Sequence, residues 1–214
     1  MAAIYEGPHI IILNRNEKNL GLVGHINHVM EMVTGELVVV AAGDDISLPE
    51  RTDHLCKIYL SSHKRTHSLY SQAIRIDGAG NHLGKTDTRH ETEKFTLEKM
   101  AEQQIGLLGS TQAWHHDVFR IFGTIDTQVI SEDNVIPFRA LLLGDVEFVD
   151  KALVYYRYHD NNMWQHPRTA SGSVIAVWHR KRAEKLLINM LGIWKTKIED
   201  LDTAIFQWPD RKLS

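Results

Sequence analysis

Three groups of residues in this 214-residue sequence have the types and spacing to do chemistry. Asp44 and Asp45 follow the apolar run Glu36 to Ala42. Adjacent carboxylates at the carboxyl end of a buried strand can hold Mg²⁺ or Mn²⁺ and leave coordination positions for phosphate oxygens and water. A cation held there would stabilise a departing diphosphate. The same spacing suits a polar turn in which Asp44 or Asp45 caps the helix beginning near Pro49. Glu132 and Asp133 stand before a second helix, with Arg139 six residues beyond Asp133. A carboxylate at a crevice edge can take the proton of an attacking hydroxyl, and acidic residues also favour a first helical turn through the helix dipole. The third group is Tyr155-Tyr156-Arg157-Tyr158-His159, followed by Asn161 and Asn162. Strand alternation puts Tyr156 and Tyr158 on one face and Arg157 and His159 on the other. That cationic pair suits phosphate recognition, and it equally suits an exposed strand face.

The 13 histidines raise a metal hypothesis. His25 and His28 are three apart, His63 and His67 four apart, and His115 and His116 adjacent. Helical pairs of this kind can bind zinc, but no HExxH pattern or cysteine partner accompanies them, so local spacing argues against a zinc site. His25 and His28 are expected on the polar side of their helix. Cys56 is the single cysteine, which excludes an internal disulfide framework and fits a reducing compartment.

These groups need a scaffold. Ile10 to Leu13 predicts a first strand, and Leu22, Ile26, Val29, Met30 and Val33 mark one apolar face of a helix ending near Gly35. Glu36 to Ala42 reads as a strand buried on both faces, so the three form a βαβ unit with a parallel pair. A helix from Pro49 to about His63, a strand over Ser68–Asp77 and a tight connection at Asp77–Asn81 follow. Thr86 to Glu93 reads as a loop, Thr96 to Gly106 as a helix capped by Thr96, and Ser110 to Trp114 as a strand. Asp117–Phe122 predicts a helical turn, Glu132–Leu143 a helix, and Val146–Val149 and Leu153–His159 two strands. From about Ser171 to Gln207 the pattern is helical, with a stripe at Leu187, Leu191, Trp194, Ile198, Leu201 and Ile205 expected to pack on the core.

Composition narrows the function classes. Hydrophobic residues at 43% describe a globular chain able to bury a core. A net charge of −3 argues against a generally basic nucleic-acid binder. No apolar run reaches the roughly 18–20 residues of a membrane span, and Met1 to Tyr5 lacks the features of a signal peptide. Arg180, Lys181, Arg182 and Lys185 form a locally basic helical stretch that suits either an anionic membrane surface or a solvated face.

In their order along the chain these segments resemble the family-2 glycosyltransferases, inverting enzymes with the GT-A fold. The matching text is Asn19-x-Gly21 with Asn27, Gly35-Glu36, and Ala42-Gly43-Asp44-Asp45-Ile46 with Pro49. Glu132-Asp133 with Arg139 and Gly144 follows, then Tyr156-Arg157-x-His159 with Asn162. The resemblance implies a Rossmann-like α/β domain over residues 1–166, with a mixed, largely parallel sheet flanked by helices, and a helical tail over 167–214. It implies transfer of one sugar from a nucleotide-diphosphate sugar to a polysaccharide or lipid-linked acceptor, since the Gln-x-x-Arg-Trp motif of processive members is absent. It implies a Mg²⁺ or Mn²⁺ ion at Asp44, with Asp45, Arg157, His159 and Asn19 on the donor side and Asp133 as base beside Glu132. Trp114 and His115 fall on the acceptor side, and the chain would work in the cytoplasm or at the inner face of the membrane. Two departures stand out. Ala42 occupies the first position of the Asp-x-Asp motif, and Met1 to Gly7 does not resemble the two strand–helix units that open the family's domain, on the order of 50–70 residues. A domain without that beginning would expose a sheet edge and form a homodimer or aggregate. The rival expectation is a non-catalytic, degenerate fragment that binds or regulates a partner chain.

Overall fold

The computed structural model describes residues 6–85, 95–102, 106–159 and 173–210, and the side chains of all of these except 85 and 173–181. The expected loop over 86–93 and Asn161 and Asn162 lie outside the described residues. In chain order the elements are α1 (Gly21–Met32), β1 (Leu37–Val39), β2 (Ile46–Ser47), α2 (Arg51–Ser61), β3 (Thr66–Ile76), β4 (His82–Lys85) and α3 (Leu97–Ala101). Then come a 3-10 turn (Gly109–Thr111), β5 (Ala113–His115), α4 (Asp117–Arg120), a second 3-10 turn (Glu132–Asn134), α5 (Ile136–Leu143), β6 (Asp145–Arg157) and α6 (Ser173–Gln207).

The sheet order is β1-β5-β3-β6-β2, with β4 pairing β3 at its far end. Only β3 and β6 are parallel neighbours, in a long register from Thr66↔Asp145 to Ile76↔Arg157. The other pairings are antiparallel. The expected mixed sheet flanked by helices is present, with one parallel pair among its five strand pairings. β1, β3 and β6 do run the same way, but the short strand β5 lies between β1 and β3 and reverses both contacts. β6 is one continuous strand rather than the two expected, accommodated by register shifts at Ser71/Gln72 and Gln72/Ala73 opposite it.

Alternation along the central strands divides the core. Leu69, Ala113, Val149 and Leu153 face α2 through Leu55 and Tyr59. Tyr70 turns to the other face and packs with Phe95, Met100, Phe138 and Leu142. Trp114 joins Val23, Met30, Val118, Ile136 and Ile193 on that face, so α1, α4, α5 and α6 cover it.

Ile10–Leu13 forms no strand; Ile10 is 91% exposed and Leu13 76%. Strand propensity needs a neighbouring strand to satisfy backbone groups, and none pairs with these residues among the described ones. The expected βαβ opening is thus absent. The apolar stripe of α6 is corrected as well: Leu191 is 70% exposed, Leu187, Trp194, Ile198 and Ile205 are exposed with it, and of the six only Leu201 packs on the core. The buried face of α6 carries Asn189, Ile193, Thr196, Lys197, Asp200 and Ala204 instead. The polar groups on that face have specific partners. Asn189 accepts from the Ile130 amide at 2.7 Å and donates to Ser131 Oγ at 3.2 Å. Asp200 pairs with Arg139 Nε at 2.8 Å. Buried polar groups with partners outweigh an unpartnered apolar stripe. No described helix is long and apolar enough to cross a membrane.

Candidate active site

The site is built where the strands running with β1 end. After β1 the chain turns at Ala42–Asp45, closed by the Asp45 amide donating to the Ala42 carbonyl at 3.3 Å. β2 then pairs with the end of β6, Ile46↔Tyr155, which carries Asp45 to Arg157. The Arg157 amide donates to Asp45 Oδ1 at 2.8 Å, and Arg157 Nε donates to the Asp44 carbonyl at 2.8 Å. Arg157 Nη1 reaches the carbonyls of Asp77 and Gly78 at 3.1 and 3.0 Å, binding the turn after β3 to the same point. His159 Nε2 stands 3.0 Å from Asp44 Oδ2. Four of the expected donor-side and metal residues thus meet: Asp44, Asp45, Arg157 and His159. Neither aspartate caps α2, whose first turn has no side-chain cap.

Burial pushes the Asp45 carboxyl up, opposed by the Arg157 amide and the Ser110 hydroxyl. Burial also raises Tyr156, and the charges of Asp45 and Asp44 add to it. Asp45 Oδ2 is buried with no hydrogen-bond partner at ordinary geometry. An orphaned carboxylate oxygen beside an Asp–His pair is a donor set that fits a hard or borderline divalent cation such as Mg²⁺ or Mn²⁺.

The acid pair approaches the same place through the Gly109–Thr111 turn. A side chain at Gly109 would start 2.8 Å from Glu132 Oε1 and 3.8 Å from Asp133 Oδ2. The next residue, Ser110, interacts with Asp45. One turn therefore touches both acidic sets. Arg51, almost fully buried, holds that turn: Nη2 donates to the carbonyls of Ser110 and Gln112 at 2.9 and 3.3 Å, and Nη1 to Ser47 Oγ at 2.9 Å. Burial pushes both Glu132 and Asp133 up, and Glu132 rises further because Asp133 is charged beside it. A cavity of about 350 Å³ opens here, with Ala42, Ser110, Trp114 and Glu132 in its wall beside His25 and the apolar residues of α1. Its size and mainly apolar lining suit a small-molecule ligand.

Other expected residues lie elsewhere. Asn19 Oδ1 accepts from the Gly21 amide at 2.8 Å, an Asx turn opening α1, and makes no contact with the aspartates. Arg139 is a structural hub whose guanidinium donates to Asp200 and to the carbonyls of Val118, Gly123 and Thr124. Trp114 lines the cavity, but its neighbour His115 points to the opposite face of the sheet and joins Glu36, His67 and Asp117 at the sheet's other end. Sequence reasoning missed Arg51, Ser110 and Asp77. Only Asp77-Gly78, as a turn, carried any local signal; an arginine in a helix and a serine before a strand carry none.

No family model and no curated protein matches the chain. Among solved structures, S. aureus TarS aligns with 68% of this chain and 26% of its own, at 15% identity and a TM-score of 0.50. S. aureus TarS 1–349 in complex with UDP-GlcNAc aligns with 94% of this chain and 59% of its own, at 17% identity and a TM-score of 0.49. The chain therefore spans well under two thirds of the length of these neighbours. What the likeness establishes is the architecture: a mixed sheet flanked by helices, with a C-terminal helix, in a GT-A-like fold.

Proposed function

We propose that this chain carries the site of a metal-assisted, inverting glycosyltransferase that moves one sugar from a nucleotide-diphosphate donor to a saccharide or lipid-linked hydroxyl. The observation that carries the reading is the single turn Gly109–Ser110 flanked by Glu132 on one side and Asp45 on the other, beside a cavity of ligand size. That arrangement sets a proton acceptor across from a phosphate-side cluster. Asp44, with Asp45 beside it, would hold Mg²⁺ or Mn²⁺, which when bound offsets the charge of the diphosphate, and His159 would stand on the phosphate side. Arg157 keeps the Asp44 and Gly78 backbones in place. In the transfer the acceptor oxygen attacks the anomeric carbon from the face opposite the diphosphate. The new C–O bond forms as the bond to the diphosphate breaks, and the acceptor proton passes to a carboxylate. A carboxylate raised by burial accepts a proton near neutral pH better than an exposed one.

The family resemblance puts the base at Asp133, and the cavity wall bears Glu132. Asp133→Asn and Glu132→Gln in a transfer assay separate the two: the base variant loses on the order of 10²-fold or more in kcat, its neighbour far less. Binding of uridine diphosphate with and without Mn²⁺ tests the donor side, and Asp44→Ala is expected to remove the Mn²⁺-dependent part. If Asp44→Ala leaves that part intact, the metal assignment fails.

A second reading, a non-catalytic binding partner of another chain, is favoured by the exposed Ile10, Ile12 and Leu13 and by a β1 strand that pairs only β5 among the described residues. It predicts association without turnover. Working on a lipid-linked acceptor at the inner face of a membrane belongs to the first reading. A homodimer would fit either, and sedimentation of the purified chain decides it.

A further inference from the structure

We infer that His67, His115 and Asp117 form a site for one divalent transition-metal ion of the zinc class. The three residues come from different elements: His67 is the second residue of β3, His115 the last of β5, and Asp117 the first of α4. β5 pairs with both β1 and β3, which brings the three side chains to the end of the sheet opposite Asp44 and Asp45. One ligand atom from each lies within 4.8 Å of the others, and among the described residues no other trio of His, Cys, Asp or Glu gathers this closely. In a tetrahedral zinc site with bonds of about 2.0–2.1 Å the ligand atoms are ~3.3 Å apart. Small side-chain rotations close the difference.

The surroundings orient His67 as a ligand, and they hold His115 and Asp117 by hydrogen bonds that an ion would exchange. His67 Nδ1 stands 2.9 Å from the Arg65 carbonyl, a bond that requires the proton on Nδ1 and leaves the lone pair on Nε2. A metal-binding histidine is commonly oriented in this way, by donating its other ring N–H to a carbonyl. The ring is packed against bare backbone: a side chain at Gly144 would begin 2.4 Å from His67 Nδ1 and 2.1 Å from the Arg65 oxygen. Only glycine lets the ring sit there. Asp117 Oδ1 accepts from Arg120 Nε at 2.7 Å and lies 3.6 Å from His115 Nδ1. The Asp117 amide donates to that same Nδ1 at 3.0 Å, so the His115 lone pair is on Nδ1 and an ion bound there would replace this hydrogen bond, with the Nε2 proton left 3.6 Å from Glu36 Oε1. Glu36 in turn is held by Tyr59 and Lys64. His115 and Asp117 are only 14% and 21% exposed, so a captured ion would be shielded yet within reach of solvent. Two imidazoles and a carboxylate suit zinc-like ions rather than Mg²⁺ or Ca²⁺. An ion there would tie the start of β3, the end of β5 and α4 together, far from the donor-side cluster, and the inference does not depend on the transferase reading.

The test is a Zn²⁺ titration of the full chain against a chromophoric chelator, repeated with Co²⁺ to record its visible absorption. One equivalent of Zn²⁺ is expected with a Kd on the order of 1 µM or tighter. His67→Gln and Asp117→Asn are each expected to weaken it at least ~10-fold, with circular dichroism showing the fold retained. Asp44→Ala is expected to keep that equivalent, which separates this site from the donor side. Gly144→Ala, by displacing the His67 ring, should weaken Co²⁺ binding and change its spectrum. Wild-type protein that takes up no Zn²⁺ tighter than ~100 µM overturns the site. So does a pair of folded variants, His67→Gln and Asp117→Asn, that bind Zn²⁺ as the wild type does.

Discussion

Glu132 and Asp133 show how burial and function act on the same atoms. Both carboxyls rise above their ordinary range because the folded chain removes water from them. Between that ordinary range and the raised values, the folded state keeps protons that the unfolded chain has lost. Stability is therefore highest in mild acid and falls as pH rises through the raised values. Glu132→Gln removes the cost of charging and is expected to gain about 1–3 kcal/mol at pH 8 and almost nothing at pH 4. Thermal melts at the two pH values check it; an equal gain at both would place its origin outside ionisation. Gly109 is the companion residue. Alanine there meets Glu132 Oε1 at 2.8 Å, so Gly109→Ala is expected to displace that carboxylate and lower transfer or nucleotide binding, with only a small fall in Tm.

Among the elements, α6 is held by charge as much as by apolar contact. Arg139 on α5 and Asp200 on α6 are 1% and 3% exposed, and the guanidinium also ties down the carbonyls between α4 and Thr124. Removing one member strands the other charge, so Arg139→Met is expected to cost about 3–5 kcal/mol. Pairing it with Asp200→Leu should recover much of that in chemical denaturation. Lys197 is a different case. Its ammonium reaches the Met100 carbonyl and sits 5.4 Å from the Phe138 ring, and burial pulls its pKa down to about 8. From about 8 up to the ordinary lysine value the unfolded chain binds the extra proton, so this lysine's penalty is full at neutral pH and fades as pH rises. Lys197→Met is expected to gain about 1–3 kcal/mol at pH 7 and progressively less toward pH 10.

Taken whole, the molecule carries its two proposed sites at opposite ends of the sheet and, among the described residues, one exposed apolar flank. The turn after β1, the end of β6 and the cavity lie at one end of the sheet, and the histidine–aspartate cluster lies at the other. Along the flank, the exposed stripe of α6 contributes little to the core. Leu191→Glu with Ile198→Glu is therefore expected to leave Tm within a few degrees of wild type and raise solubility. A large loss of Tm in dilute protein would mean that the stripe is buried by association.

Much of this was legible in the sequence. Period and punctuation located α1, α2, β3, α5 and α6 to within a few residues, and β6 as two pieces of one strand, because those signals are local. The carboxylates Asp44 and Asp45 and the residues Arg157 and His159 were legible as candidates from residue type and strand-end position. Their meeting was not, because it depends on β2 pairing with the end of β6, more than 100 residues away. The same limit hid Arg51 behind the Ser110 turn, and it concealed which face of α6 is buried, since Arg139 chose Asp200 over the apolar stripe. The fold also brought His67 and His115, members of two separate sequence pairs, together with Asp117 in one cluster. Residue type and period are properties of neighbours along the chain, whereas strand pairing and buried charge join residues that are distant along it. The sequence alone therefore determined which groups could do chemistry and which elements carry them, and only the tertiary structure decided which of those groups meet.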